Sequence, residues 1–236
     1  MIRNGATAIR RRRKFLVLVA PTVIALASLY GYAFQYLSTD PERLGIFWPY
    51  RHWLHFHIAG GIVALLTGPV QMWLGPNRQY PLLHRVLGVG YVLSGAIACI
   101  AGFQLAANTG FGWVFGMGFS AMAAAWLVTT GLAIIAIYRR NIEQHKSWMI
   151  RSYTVTFGFV TYRFFIEVFR LIGVGTTVEQ LTAASWAGWS IPLLIVEAVL
   201  QGREIFAPRE SPQPAPVPRA QEHEAQLLRS PMTYDN

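Results

Sequence analysis

Residues 113–138 read WVFGMGFSAMAAAWLVTTGLAIIAIY, an uncharged run followed directly by Arg139 and Arg140. A helix rises about 1.5 Å per residue, so about 20 apolar residues cross a hydrocarbon core of about 30 Å. This run is long enough, and its basic end has the form of a membrane stop. Working outward, apolar stretches of similar length recur at 15–37, 53–75, 86–107, 148–171 and 181–200. The fifth carries charges, and the sixth contains Pro192 and Glu197. The expected fold is all-α, a polytopic transmembrane helical bundle of about six spans. Composition agrees: of 236 residues 53% are hydrophobic and 13% charged, against about 25% charge in soluble domains. Soluble, disordered and coiled-coil classes are excluded.

The chain divides into a basic cytoplasmic N-terminus (1–14), a transmembrane domain (15–200) and a flexible, Pro-rich cytoplasmic tail (201–236). The tail alternates Pro208, Pro212, Pro214, Pro216 and Pro218 with polar and small residues. Net charge is +9, yet its distribution argues against nucleic acid as a partner. Arg3, Arg10, Arg11, Arg12, Arg13 and Lys14 sit directly before the first apolar run, as a cytoplasmic anchor does. With the N-terminus inside, the inner loops also hold Arg78, Arg85, Arg139, Arg140 and Lys146. The outer loops hold only Arg43 and Arg51. This bias predicts both termini inside and an even number of spans. It would survive if segments five and six formed a re-entrant pair. The run from Phe15 to Leu37 is too long for a signal-peptide core and reads as an uncleaved first helix. The expected location is the cytoplasmic (inner) membrane of a bacterium, with the lipid bilayer as partner. The single cysteine, Cys99, lies within an apolar run and excludes an intrachain disulfide.

Charge inside a bilayer is costly and usually pairs or lines a cavity, so polar groups sharing a depth are the candidates for function. At the outer side His52, His55 and His57 cluster at the start of segment two. Arg163, Glu167 and Arg170 lie in the outer half of segment five. Their spacing places them on one helix face, with Ser152 and Thr156 extending it inward and an Arg163–Glu167 ion pair expected. One reading is a buried structural network. The other is a polar cavity of His55, His57, Arg163 and Glu167 that binds a metal, a quinone or an anionic group. At the inner side lie His84, Arg85, His145, Lys146 and Arg151. His84 and His145 are positioned as axial metal ligands of a b-type haem, and Arg85 and Arg151 as partners of its propionates. The competing reading is a set of interfacial side chains that contact lipid headgroups. Glu197 is expected near Arg151. A second, outer haem lacks a partner histidine, because segments one, four, five and six contain none within their spans.

Small residues recur at Gly60, Ala64 and Gly68, and at Gly112, Gly116, Ser120 and Ala124. Such spacing lets helix backbones approach closely; bundle packing is the preferred reading and a homodimer surface the other. Trp48, Trp53, Trp73, Trp113, Trp148 and Trp186 fall near span ends, where interfacial tryptophans collect. Trp126 is mid-span and reads as bundle packing.

The stretches His55-Phe-His57-Ile-Ala-Gly60, Leu83-His84-Arg85-Val-Leu-Gly88-Val-Gly-Tyr91 and His145-Lys-Ser-Trp148-Met-Ile-Arg151-Ser-Tyr153 resemble a bacterial family of membrane proteins, domain of unknown function 2306. The likeness covers roughly residues 52–170. It implies a multispan bundle with polar groups at His57, His84, His145, Arg151 and Arg163, and no established reaction. Lys146 stands where the family often has arginine, which keeps the charge. The layout of histidines at helix ends is also faintly similar to cytochrome b561 and ferric reductase membrane domains. Three functions compete: haem-linked membrane electron transfer with a quinone or redox partner, a non-redox transporter or sensor using the His57–Arg163–Glu167 cavity, and a structural or assembly subunit. No spacing marks an activated nucleophile.

Overall fold

A computed structural model describes residues 19–75 and 80–206. Among these every regular element is helical. Residues 19–28 form α1, which continues through a π-helical turn at Leu29–Ala33 and a 3-10 turn at Phe34–Leu37. Asp40 caps the short α2 (Pro41–Leu44) by accepting from the Glu42 amide. The long helices are α3 (Arg51–Leu74), α4 (Pro81–Ala107), α5 (Trp113–Tyr138) and α8 (Thr177–Ile205). Between the last two lie α6 (Ile142–Thr156) and α7 (Gly158–Ile172). The chain divides after Leu200 into the bundle and a C-terminal unit. The basic arm 1–14, Arg78 and the prolines of the tail lie outside the described residues.

Among the described residues four helical stretches are long and apolar enough to cross a membrane: Pro41–Leu74, Pro81–Ala107, Trp113–Tyr138 and Thr177–Ile205. The helical membrane class is as expected, whereas the count of about six differs. Segment one is described only from residue 19. Segment five, expected continuous over 148–171, is broken at Phe157 into two helices of 15 residues each. Each spans about 22 Å, short of a hydrocarbon core. The break coincides with Gly158. A Cβ there would approach Met122 Sδ at 2.9 Å and Trp189 Cβ at 3.3 Å, so the backbone runs closer to α5 and α8 than an alanine allows. Helix α4 begins earlier than expected, with Pro81 at its first turn; a proline costs no hydrogen bond there. His84 therefore belongs to the helix.

Gly60, Ala64, Gly68 and Gly116 are buried within the bundle, whereas Gly112 and Ala124 are exposed. A Cβ on Gly60 would collide with the Ser94 carbonyl of α4, one on Gly68 with the Tyr153 ring of α6, and one on Gly116 with the Ala106 carbonyl. Trp126 is buried as expected, seated against Gly95 of α4. The core joins Ala25, Leu29 and Ala33 of the first helical stretch to Leu65, Tyr91, Cys99, Trp126 and Tyr153.

Candidate functional site

The core is not filled completely. A cavity of about 320 Å³ lies between the first helical stretch and α3, α4, α5, α6 and α7. That volume is at the low end for small-molecule sites, about 300–1,000 Å³. One wall is aromatic: Phe111, Phe115, Phe119 and Tyr162 follow one another at ring-centroid distances of 5.1, 5.0 and 5.1 Å. Phe115 and Phe119, four apart, share a face of α5, and Phe111 joins them from the turn just before that helix. Leu29, Ile58, Leu65 and Met122 add apolar lining.

Two strongly polar side chains line this space. His57 is one. Its Nδ1 lies 2.8 Å from the Ala98 carbonyl of α4, which can only accept, so Nδ1–H donates and the neutral ring keeps Nε2 as an acceptor. Gly102, one turn on from Ala98, makes room; a Cβ there would stand 3.2 Å from Nδ1. Arg163 is the other. Phe159, Tyr162 and Arg163 follow the break at Phe157 with the spacing of one helix face, and all three line the cavity. The guanidinium lies 4.8 Å from the Tyr32 ring centroid, 5.5 Å from Tyr162 and 5.9 Å from Phe159. Its Nε is buried without an acceptor. No carboxylate among the described residues pairs with it.

The expected Arg163–Glu167 pair does not form. Glu167 Oε2 instead accepts from Arg170 Nε at 2.9 Å and Nη2 at 2.7 Å. Both partners of that pair are well exposed and keep much of their hydration, whereas Arg163 is lodged among rings. His55 is also turned away from the cavity, its Nε2 at 3.2 Å from the Ser38 carbonyl. Of the four residues expected around a polar cavity, the structure brings together His57 and Arg163. His55 and Glu167 are not on its lining.

The opposite end holds the second histidine group. His84 and His145 come close enough to interact electrostatically. His145 Nδ1 donates to the Ala133 carbonyl at 2.9 Å. His84 Nδ1 and Gln71 Oε1 are both buried without partners, although Gln71 Nε2 donates to the His84 carbonyl at 2.8 Å. Arg151 is held by neighbouring side chains. Its Nε donates to Glu197 Oε2 at 2.6 Å, its Nη1 to Ser147 Oγ at 2.5 Å, and its plane stacks 4.6 Å from the Trp148 ring. Glu197 is thus the partner that the sequence suggested, and it occupies the guanidinium that a propionate would need. Arg85 is exposed. No cluster of three or more His, Cys, Asp or Glu able to hold a metal occurs among the described residues.

A family model described as a predicted membrane protein, DUF2306, matches residues 54–200. The chain belongs to this family. No curated protein and no solved structure gives a match. The DUF2306 region contains His57, Arg163, both members of the His84–His145 pair and the Arg151–Glu197 ion pair. Its description supplies the membrane setting and no reaction.

Several residues of the site were not evident from sequence. Tyr32 and Phe159, whose rings face Arg163, read as ordinary span residues. So did Tyr91 and Thr130, which with Ser152 and Thr156 form a buried hydroxyl network. A phenol in mid-span is the signal for such a network, because a lipid-facing phenol has no partner there, whereas a threonine can also bond the carbonyl one turn back in its own helix.

Proposed function

We propose that this chain takes a lipophilic small molecule with an anionic oxygen head group into the cavity between α3, α4, α5 and α7. Arg163 receives the head and the aromatic wall receives the body. The carrying observation is Arg163 itself: a part-buried cation set among rings, with a buried, unpaired Nε and no carboxylate partner among the described residues. Burying an uncompensated charge costs several kcal/mol, and ring contacts return about 0.5–2 kcal/mol each. Rings attract the charge but accept its N–H groups poorly; an oxyanion does both. His57 complements this, since its free Nε2 accepts from a hydroxyl or an acid proton. The arginine bias of the sequence supports a position for this cavity in the outer half of a bacterial cytoplasmic membrane.

The test is calorimetric titration of the detergent-purified chain with decanoate and with decyl-ubiquinone. We expect decanoate to bind, with at least tenfold weaker binding in Arg163→Gln. Absent decanoate binding, or equal binding by Arg163→Gln, refutes the reading. Binding of the quinone alone would favour membrane electron transfer instead. The break between α6 and α7 favours a transport role for the same site, because interrupted helices flank the binding sites of many transporters. A haem reading for the other end draws support from the proximity of His84 and His145 and the unpaired His84 Nδ1. The engagement of Arg151 by Glu197 weighs against it. An absorbance spectrum of protein from haem-replete cells decides that reading.

A further inference from the structure

The floor of the cavity is formed in part by Thr156 and Trp126. From Thr156 a file of hydroxyls leads away from the cavity through the bundle. Thr156 Oγ1 lies 2.8 Å from Tyr91 Oη, Tyr91 Oη lies 2.7 Å from Ser152 Oγ, and Ser152 Oγ lies 2.7 Å from Thr130 Oγ1. The file crosses from α6 to α4, back to α6 and on to α5. Tyr91, Ser152 and Thr130 are almost wholly buried. Thr130 stands one helical turn from Ala133, whose carbonyl holds His145, so the file ends toward the histidine end of the bundle. Arg151, next to Ser152, is held by Glu197 and Ser147 and takes no part.

The polarity of this file is not fixed. Trp126 Nε1 can only donate, and it does so to Thr156 Oγ1 at 2.9 Å. Thr156 then has one proton to give, either to Tyr91 or to the Ser152 carbonyl at 3.0 Å. If it serves the carbonyl, the donors run Thr130 to Ser152 to Tyr91 to Thr156. If it serves Tyr91, they run the other way, and Thr130 donates beyond the file. The Thr156, Tyr91 and Ser152 hydroxyls find an acceptor in both senses, since a hydroxyl donates once and accepts twice; Thr130 finds one in Ser152 in the first sense and needs water in the second. Adhesion between helices, the usual role of buried hydroxyls in membranes, requires only one.

The geometry points to a proton relay: Thr156, Tyr91, Ser152 and Thr130 carry protons between the cavity and the His145 end of the bundle. A proton arriving on Thr156 forms one O–H bond there while the old one breaks toward Tyr91. The same exchange repeats at each hydroxyl, and Thr130 passes its proton to a water molecule at the far end, which leaves as hydronium. The net change is one proton moved, with no redox step, and rotation of the hydroxyls resets the file. Arg163, His57 and Thr156 give the cavity the polar partners that ordered water needs, so it can serve as the outer limb. The relay stands on the hydroxyl geometry and does not rest on the identity of any ligand.

The full chain is reconstituted into phosphatidylcholine–phosphatidylglycerol vesicles with a pH dye inside, and a valinomycin potassium potential drives proton entry. We expect faster acidification than in protein-free vesicles. Tyr91→Phe keeps the ring and removes the central hydroxyl, so the protein-dependent rate should fall at least tenfold. Ser152→Ala gives the same reading if Tyr91→Phe fails to fold. Tyr153→Phe is the control: it removes a neighbouring buried phenol, which donates to the Leu65 carbonyl at 3.2 Å and lies off the file. Its rate should equal wild type. The relay is overturned if wild type is no faster than empty vesicles, if Tyr91→Phe keeps its rate, or if Tyr153→Phe loses as much.

Discussion

Two arginines on the broken segment five should respond to the same substitution with opposite signs. Arg151→Met removes a guanidinium that is satisfied from three sides: Glu197, Ser147 and the Trp148 ring. Breaking a buried ion pair costs about 3–5 kcal/mol. The Glu197 side chain is 41% exposed against 9% for Arg151, so water screens the survivor and the low end, about 3 kcal/mol, applies. Arg163→Met removes a guanidinium that lacks a carboxylate. If its partial burial costs about 4 kcal/mol, the ring at 4.8 Å and the two more distant rings return together about 2–3 kcal/mol. The ligand-free protein should then gain roughly 1–2 kcal/mol, because methionine fills the same space without a charge. For a chain of this size each kcal/mol moves the melting temperature by about 2–4 °C. Scanning fluorimetry of delipidated protein in one detergent reads both signs, and decanoate added to each sample separates the site from the scaffold. Wild type should be raised by decanoate and Arg163→Met should not. A loss of stability in Arg163→Met comparable to that in Arg151→Met would refute the reasoning and make Arg163 a structural residue.

Other expectations follow from the packing. Gly61 lines the cavity, and a Cβ there meets nothing within 4 Å. Gly61→Leu should therefore fill the cavity and abolish decanoate binding while leaving stability unchanged or up to about 1 kcal/mol higher, from the better helix former. Titration and melting of the same sample check this. Gly68→Ala drives a methyl into the Tyr153 ring and should cost about 1–3 kcal/mol, read as a lower melting temperature. Gly102→Val should crowd the His57 imidazole off the Ala98 carbonyl. A shift of the histidine ring resonances should report it in NMR, with decanoate binding weakened several-fold.

The helical class was legible because the uncharged run at 113–138 dictates a membrane helix whatever surrounds it, and α5 occupies those residues. Segment five shows where that reading stops. Its mean apolar character says that it belongs in the bilayer, but hydropathy averages over a window and is blind to a single turn. The break at Phe157 coincides with the close approach of Gly158 to α5 and α8, a tertiary contact that hydropathy does not register. The Arg151–Glu197 pair was legible because two opposite charges at one depth have few alternatives in lipid. The Arg163–Glu167 pair failed by the same physics applied more closely. Spacing put the two on one face, but Glu167 had a second cation within reach at Arg170, itself well exposed, and pairs with it instead. Histidine spacing at 52, 55 and 57 proved equally indifferent to direction, since His57 turns to Ala98 and His55 to Ser38.

The competition for Glu167 gives Arg163 its significance. A bundle that needed Arg163 only for cohesion could have paired it with the carboxylate one turn away, as it pairs Arg151 with Glu197 across two helices. Instead the carboxylate is drawn off by Arg170, and the rings of Tyr32, Phe159 and Tyr162 hold the guanidinium at the edge of a space large enough for a small molecule. The wall opposite offers His57 with its acceptor nitrogen free, and the floor offers Thr156 at the head of a hydroxyl file. Cohesion explains the Tyr153–Leu65 bond and the glycine contacts. It does not explain a part-buried cation, its Nε enclosed, left with only aromatic faces for partners. On the proposed reading that arrangement costs stability in the empty protein and an arriving anion would return it, which is why stability with and without decanoate, rather than stability alone, is the measurement that bears on what this membrane protein binds.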